Sequence, residues 1–152
     1  MILNRQREVR LALQPLNTFF LQVKRELRIQ KAEITICLVS DAEIARMNQD
    51  FRKKKGPTDV LSFRVQKRSR PRVALRKRAA KTSNRDSTFL GDIAISPAAA
   101  RRNAARYGHN LTHEMRVLIL HGVLHLLGYD HEADQGQMER MEARLRAKLR
   151  LT

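Results

Sequence analysis

Apolar positions along the chain alternate between two kinds of spacing. From Leu16 to Leu27 they recur every three or four residues, which is typical of one face of an α-helix. The run EITICLVS, residues 33–40, is short, continuous and β-branched, which is typical of a largely buried strand. Applied to the whole chain, the pattern predicts strands near 2–6, 33–40, 58–65 and 89–96, and helices near 15–27, 40–51, 96–107, 112–127 and 135–149.

Residues that begin or end helices support these boundaries. Ser40 opens an S-x-x-E capping box, and Ser96 followed by Pro97 is typical of an N-cap and a first helical residue. Gly108 and Gly128 follow predicted helices and can adopt the left-handed conformation that ends them. The order β-α-β-α-β-β-α-α-α predicts an α/β fold: one domain, residues 1–152, with a small mixed four-stranded sheet covered by about five helices.

Charge adds a candidate partner. The chain has 31 Lys and Arg against 15 Asp and Glu, a net charge of +16, so it should attract polyanions such as nucleic acid or ribosomes. Ten of the basic residues and no acid lie in residues 60–85. We expect the stretch at about 66–88 to be an exposed basic loop or insertion, either an RNA-docking arm or a tolerated insertion without a special role.

Several classes of protein are disfavoured. No apolar run approaches the roughly 18 residues that span a bilayer, so we expect no membrane association. The N-terminal residues carry scattered charges, unlike a secretion signal. The single cysteine, Cys37, cannot form an internal disulfide and lies in a strand-like run, where a packed thiol is expected. A cytoplasmic protein is therefore the expectation.

Three of the five histidines occur in the eleven residues HGVLHLLGYDH. His121 and His125 are four residues apart on a predicted helix, so their rings project side by side. Gly128 can reverse the chain and bring His131 back toward them. Three imidazoles with an open position are typical of a catalytic zinc site, whereas structural sites usually have a fourth protein ligand. The pattern predicts one Zn²⁺, or another divalent transition metal, at these three residues.

The spacing of these histidines equals that of metzincin proteases, but one residue differs. Those enzymes have a glutamate general base directly after the first histidine, where this chain has Gly122. Loss of such a base costs typically about 10²–10⁴-fold in rate. Asp130, Glu132 and Asp134 are close in sequence, although nothing in the sequence indicates that one of them reaches the metal. A metalloprotease is therefore the minority hypothesis.

The histidine block resembles the signature of the YbeY family of metal-dependent endoribonucleases. MNQDFRKKKGPTDVLSF resembles that family's asparagine–aromatic–arginine segment followed by P-T-D-V-L-S-F, and LGDIAIS resembles its next strand. The three blocks occur in the family's order, and the resemblance covers most of residues 31–150. The basic stretch between VLSF and LGDIAIS is longer than this connection requires.

This resemblance implies a single-strand-specific endoribonuclease with a zincin-like metal-binding helix. It implies action in ribosomal RNA maturation, notably at the 3′ end of the small-subunit RNA, and in ribosome quality control, with RNA and the small ribosomal subunit as partners. Arg52 matches the family's functionally important arginine, and a guanidinium suits phosphate. Without the resemblance, the simpler interpretation of Arg52 is a solvated member of the basic run 52–55. A non-catalytic, zinc-stabilised ribosome-binding protein remains a further alternative.

Overall fold

A computed structural model describes residues 1–65, 88–130 and 132–151. Its elements occur in the predicted order: β1 (Ile2–Asn4), α1 (Leu13–Glu26), β2 (Glu33–Leu38), α2 (Asp41–Arg52), β3 (Val60–Arg64), β4 (Phe89–Ile95), α3 (Pro97–Tyr107), α4 (Leu111–Leu126) and α5 (Gln137–Lys148). Strand β1 is shorter than predicted because the Asn4 side chain accepts the backbone N–H of Gln6, which turns the chain.

The four strands of the described chain form one mixed sheet in the order β1-β2-β4-β3. Strand β2 pairs in parallel with β1 and β4, whereas β3 pairs with β4 in antiparallel register, with Ser62 opposite Ile93. The predicted mixed sheet with about five helices is confirmed. The antiparallel edge brings β3 beside the strand on which α4 packs, and this arrangement positions the candidate site.

The core lies on both faces of the sheet, which explains the continuous apolar run of β2. Ile34, Ile36 and Leu38 point into the larger core with α1 and α4. Cys37 points to the other face, into a smaller cluster with Ile44 of α2. Burial raises the pKa of the Cys37 thiol to about 11, so the thiol remains protonated, as expected for a packed rather than a reactive cysteine.

Two helices begin at the serine N-caps, and one ends at the glycine, that the sequence predicted. The Ser40 hydroxyl accepts the Glu43 N–H at 3.1 Å, and the Ser96 hydroxyl accepts the Ala99 N–H at 3.1 Å. Gly108 ends α3 in the left-handed conformation, at φ +73°. These contacts satisfy backbone groups that a helix end leaves without a partner.

Two predictions fall mainly or wholly on residues outside the described part of the chain. These are the basic insertion at about 66–88, of which only Thr88 is described, and His131. None of the described helices combines the length and apolar character that crossing a membrane requires.

Candidate active site

Two of the three predicted metal ligands come together on α4. The Nε2 atoms of His121 and His125 are 3.0 Å apart, and the two ring planes meet at 74°. Between them Gly122 faces the sheet, where an added Cβ would lie 2.8 Å from Cγ2 of Ile93. Gly122 therefore allows α4 to pack closely on β4 and keeps the histidine pair beside the edge of the sheet.

Glu142 of α5 contacts His121 at the ring nitrogen that does not face His125. Its Oε1 lies 3.5 Å from Nδ1 of His121, so the carboxylate is on the ring nitrogen opposite the one facing His125. A carboxylate at this position fixes the tautomer and orientation of a metal-binding imidazole. The sequence gives no local signal for Glu142, because this residue lies 21 positions beyond His121 and no local pattern connects the two.

Helix α4 ends as the sequence predicted, at Gly128. This residue has a φ of +99°, its N–H bonds to the carbonyl of His125 at 3.0 Å, and the N–H of Tyr129 bonds to the carbonyl of Leu124 at 3.1 Å. This pair of bonds is a Schellman motif, which reverses the chain after a helix. The reversal is the feature on which the prediction for His131 depended, although His131 itself lies outside the described residues.

The histidine pair fits a divalent transition metal. Two nitrogens that bind one tetrahedral Zn²⁺ at about 2.0–2.1 Å are themselves about 3.3 Å apart, and the observed 3.0 Å requires only a small spread of the two rings. Within residues 1–65, 88–130 and 132–151, no group of three His, Cys, Asp or Glu forms a metal site. The structure thus brings together two of the three residues predicted as ligands, and metal binding by them stays a prediction.

A cavity of about 650 Å³ brings the histidine pair together with Arg52. Arg52 is the last residue of α2, exposed to solvent. The buried side chain of Asn48 donates to the carbonyl of Gly56 at 3.0 Å and so ties the basic loop after Arg52 back to α2. The structure therefore brings together residues that are 69 positions apart in the sequence, from Arg52 to His121.

The remaining polar residues of the cavity are either side chains that hold β3 in place or exposed acids. Ser62 donates to the carbonyl of Gly122 at 3.0 Å, and Asp59 accepts from the amide of Asn103 at 3.0 Å, so both hold β3 in place. Asp130 and Glu132 are exposed carboxylates on the cavity wall. Asp134, the third nearby acid, instead accepts the backbone N–H groups of residues 136 and 138 at the start of α5.

The cavity also contains three residues that sequence analysis did not identify as part of the site. Phe51 and Phe63 line it with their ring centroids 5.0 Å apart, and Arg64 ends β3 on its wall. The guanidinium of Arg64 packs closely against Gly128, with Nη1 3.1 Å from the position that a Cβ on this glycine would have. Phe51 adjoins Arg52 in the chain, so the sequence could have indicated it, whereas Phe63 and Arg64 reach the site only because β3 pairs with β4.

Known proteins similar to this chain show its family. The chain matches the family model described as Endoribonuclease YbeY over residues 1–150. Endoribonuclease YbeY of Solibacter usitatus is 43% identical over 129 residues, covering 82% of this chain and 74% of that protein. The Koribacter versatilis protein of the same name is 36% identical over 151 residues, covering 99% and 86%.

The fold also agrees with a solved structure. The solution structure of TM1509 from Thermotoga maritima matches 98% of this chain and 89% of that protein, with a TM-score of 0.61 and 25% identity. The matched family model spans almost the whole chain, including α2, the β3–β4 pair and α4. The chain therefore belongs to the endoribonuclease YbeY family.

Proposed function

We propose that this chain is a metal-dependent, single-strand-specific endoribonuclease that acts in ribosomal RNA maturation, notably at the 3′ end of the small-subunit RNA, and in ribosome quality control. The observation that carries the proposal is the cavity shared by Arg52 and the convergent pair His121 and His125. We propose RNA and the small ribosomal subunit as partners, and the net charge of +16 supports binding to a polyanion such as RNA. Residues 1–152 would act as one domain, since the larger core includes residues from Ile2 to Leu151.

His121, His125 and His131 would hold the ion, most simply Zn²⁺. When bound, a divalent ion lowers the pKa of a coordinated water and polarises a phosphate oxygen. Glu142 would keep the His121 ring turned toward the site, because its carboxylate is 3.5 Å from Nδ1. The imidazoles of the described pair are half-buried, so the surrounding protein limits their motion.

Arg52 would bind the phosphate to be cleaved. Its guanidinium can donate two parallel hydrogen bonds to phosphate oxygens and offset the charge that develops at phosphorus. The Arg52 side chain makes no hydrogen bond or ion pair within the described part of the chain, so it need not break one to meet a substrate. The bond from Asn48 to Gly56 positions the loop beside it.

A metalloprotease is disfavoured by Gly122. The glutamate that such enzymes need at this position would have its Cβ 2.8 Å from a buried methyl group of Ile93, so α4 could not keep its present distance from β4.

We also propose that the activity occurs in the cytoplasm. A buried free thiol at Cys37 is compatible with a reducing compartment, where RNA substrates are found.

The test combines metal analysis with RNA cleavage. We expect the purified protein to hold about one equivalent of metal per chain and to cleave single-stranded RNA. His121→Ala and Arg52→Ala should both abolish cleavage, and only His121→Ala should also reduce the metal content. Arg46→Ala is the matched control for Arg52, since Arg46 is exposed on the same helix outside the cavity.

Cleavage that persists in both variants would come from a contaminating ribonuclease, to which so basic a protein is prone, and would refute the proposal. A metal-bearing protein without His121-dependent cleavage would instead be a zinc-stabilised ribosome-binding protein. Casein tested beside RNA, with the metal-free protein as a blank, separates the protease alternative.

A further inference from the structure

Phe51 presents an aromatic ring to solvent directly before Arg52. Its exposure of 53% is unusual for phenylalanine, although single exposed apolar residues are common and need no special role. Tyr107, at the end of α3, is the other strongly exposed aromatic residue in the described chain. The two differ in place, since Phe51 lines the cavity of the histidine pair and Tyr107 does not.

Phe63 holds the Phe51 ring in place. Their ring centroids are 5.0 Å apart at an interplanar angle of 70°, the edge-on geometry that aromatic pairs favour. Phe63 is partly buried against the smaller core cluster, which includes Leu61 and Ala94. Phe51 is therefore supported by a residue of the sheet, so a flat ligand that contacts it meets a surface with little freedom left to lose.

The surroundings indicate what kind of ligand this is. The cavity of about 650 Å³ lies within the roughly 300–1,000 Å³ of sites for small ligands, so it can accept a nucleotide unit. Arg52, the next residue in the chain, provides a cation for a phosphate. An apolar ring beside a phosphate-binding cation matches a nucleotide, which has a flat base and an anionic group close together.

We propose that Phe51, supported by Phe63, stacks against one nucleobase of an RNA strand bound in the cavity, and so places the neighbouring phosphate at Arg52. This inference rests on the proposed function. It provides a physical basis for selecting unpaired RNA, because bases in a duplex are already stacked on both faces and must be unstacked before they can contact Phe51. Phe51 is thus a substrate-binding residue and takes no part in proton transfer.

The test uses the intact, metal-loaded chain and a short single-stranded RNA containing 2-aminopurine, whose fluorescence is quenched on stacking. Stopped-flow mixing follows the quench before cleavage. Phe51→Ala should remove the quench and weaken Kd roughly 5- to 150-fold, which corresponds to the about 1–3 kcal/mol typical of base–aromatic stacking. KM should rise by a similar factor, while kcat changes much less.

Three comparisons separate stacking from a merely structural role. Phe51→Trp should restore the quench and Kd, whereas Phe51→Leu, which keeps an apolar side chain without an aromatic ring, should not. Tyr107→Ala, the matched exposed aromatic, should behave as wild type. An RNA lacking the base at the stacked position should bind wild type and Phe51→Ala with equal Kd.

The inference is overturned if folded Phe51→Ala keeps the quench and Kd, if Phe51→Trp does not restore them, or if the loss is the same for the RNA lacking the base. Each of these results can occur while cleavage still requires His121, and then only the role of Phe51 is refuted. Failure of wild-type cleavage to depend on His121 refutes the proposed function itself.

Discussion

Two pairs of histidines in this chain have the same spacing and different surroundings. His109 and His113 are four residues apart with ring centroids 4.4 Å apart, and His121 and His125 are four residues apart with centroids 4.5 Å apart. All four rings are half-buried. By spacing and proximity alone, the two pairs are nearly equivalent candidates for binding a metal ion.

Their tertiary surroundings distinguish them. The first pair straddles the start of α4, where Nε2 of His109 lies 3.4 Å from a carboxylate oxygen of Glu114. The second pair lies within α4, directs two Nε2 atoms to one point and lines a cavity with Arg52. The comparison teaches that i, i+4 spacing brings imidazoles together, whereas their convergence on a shared cavity depends on what packs around the helix.

The largest difference is expected from removing one ring of each pair. His125→Ala should lose metal and reduce RNA cleavage. Loss of a residue that hydrogen-bonds to a metal ligand typically costs roughly 10–100-fold, and loss of a ligand itself should cost more. His113→Ala should keep both metal content and cleavage rate. Metal analysis and single-turnover cleavage measure this, and equal losses in the two variants would contradict the distinction between the pairs.

Each pair has one histidine beside a carboxylate, Glu142 at His121 and Glu114 at His109, and these acids give the next comparison. Glu142→Gln keeps the size of the side chain but removes the charge 3.5 Å from Nδ1 of His121, so metal affinity should fall roughly 10–100-fold. Competition with a chelator measures the affinity. Glu114→Gln, beside His109, is the control and should leave metal affinity unchanged even where it lowers stability. A Glu142→Gln variant with wild-type affinity would show that Glu142 does not orient His121.

The residues between the histidines should differ in their tolerance of substitution by alanine. Gly122→Ala places a Cβ 2.8 Å from Ile93, and overpacking of about 3 kcal/mol, less about 1 kcal/mol regained in helix propensity, should lower the free energy of unfolding by about 2 kcal/mol. Thr112→Ala, at an exposed position between the other two histidines, should cost almost nothing.

Urea denaturation measures both variants. In an Ile93→Ala background the cost of Gly122→Ala should disappear, because the contacting methyl groups are absent and the two substitutions are coupled. If the cost of Gly122→Ala is the same in both backgrounds, close packing of α4 on β4 is not the reason for this glycine.

The smallest effect concerns the pH dependence of stability at the pair His109 and His113. Burial, with the nearby charge of His109, lowers the pKa of His113 below its usual value near 6.5, so the folded protein binds a proton there more weakly than the unfolded chain does. Stability from this residue is present above pH 6.5 and is lost as pH falls below it. His113→Gln should therefore lose less Tm than wild type between pH 7.5 and 5.5, measured by thermal denaturation. An identical pH dependence would contradict the lowered pKa.

Features governed by neighbours in the chain could be predicted from the sequence alone. Ser40 and Ser96 begin helices because their hydroxyls accept N–H groups three residues away. Gly128 ends α4 because it adopts a positive φ that other residues rarely adopt. The same holds for the proximity of His121 and His125, since one turn of helix separates them. The order of elements and the family resemblance followed from such local patterns.

Contacts between distant segments were decided only by the tertiary structure. Glu142 meets His121 and Gly122 meets Ile93 because α5 and β4 pack against α4. Phe51 meets Phe63 because α2 packs on the other face of the sheet, beside β3. No periodicity encodes such pairs, because their geometry depends on the register and packing of whole elements rather than on spacing along the chain. The sequence by itself determined that His121 and His125 lie side by side on one helix, and the packing decided that this pair faces a cavity with an arginine and an aromatic surface.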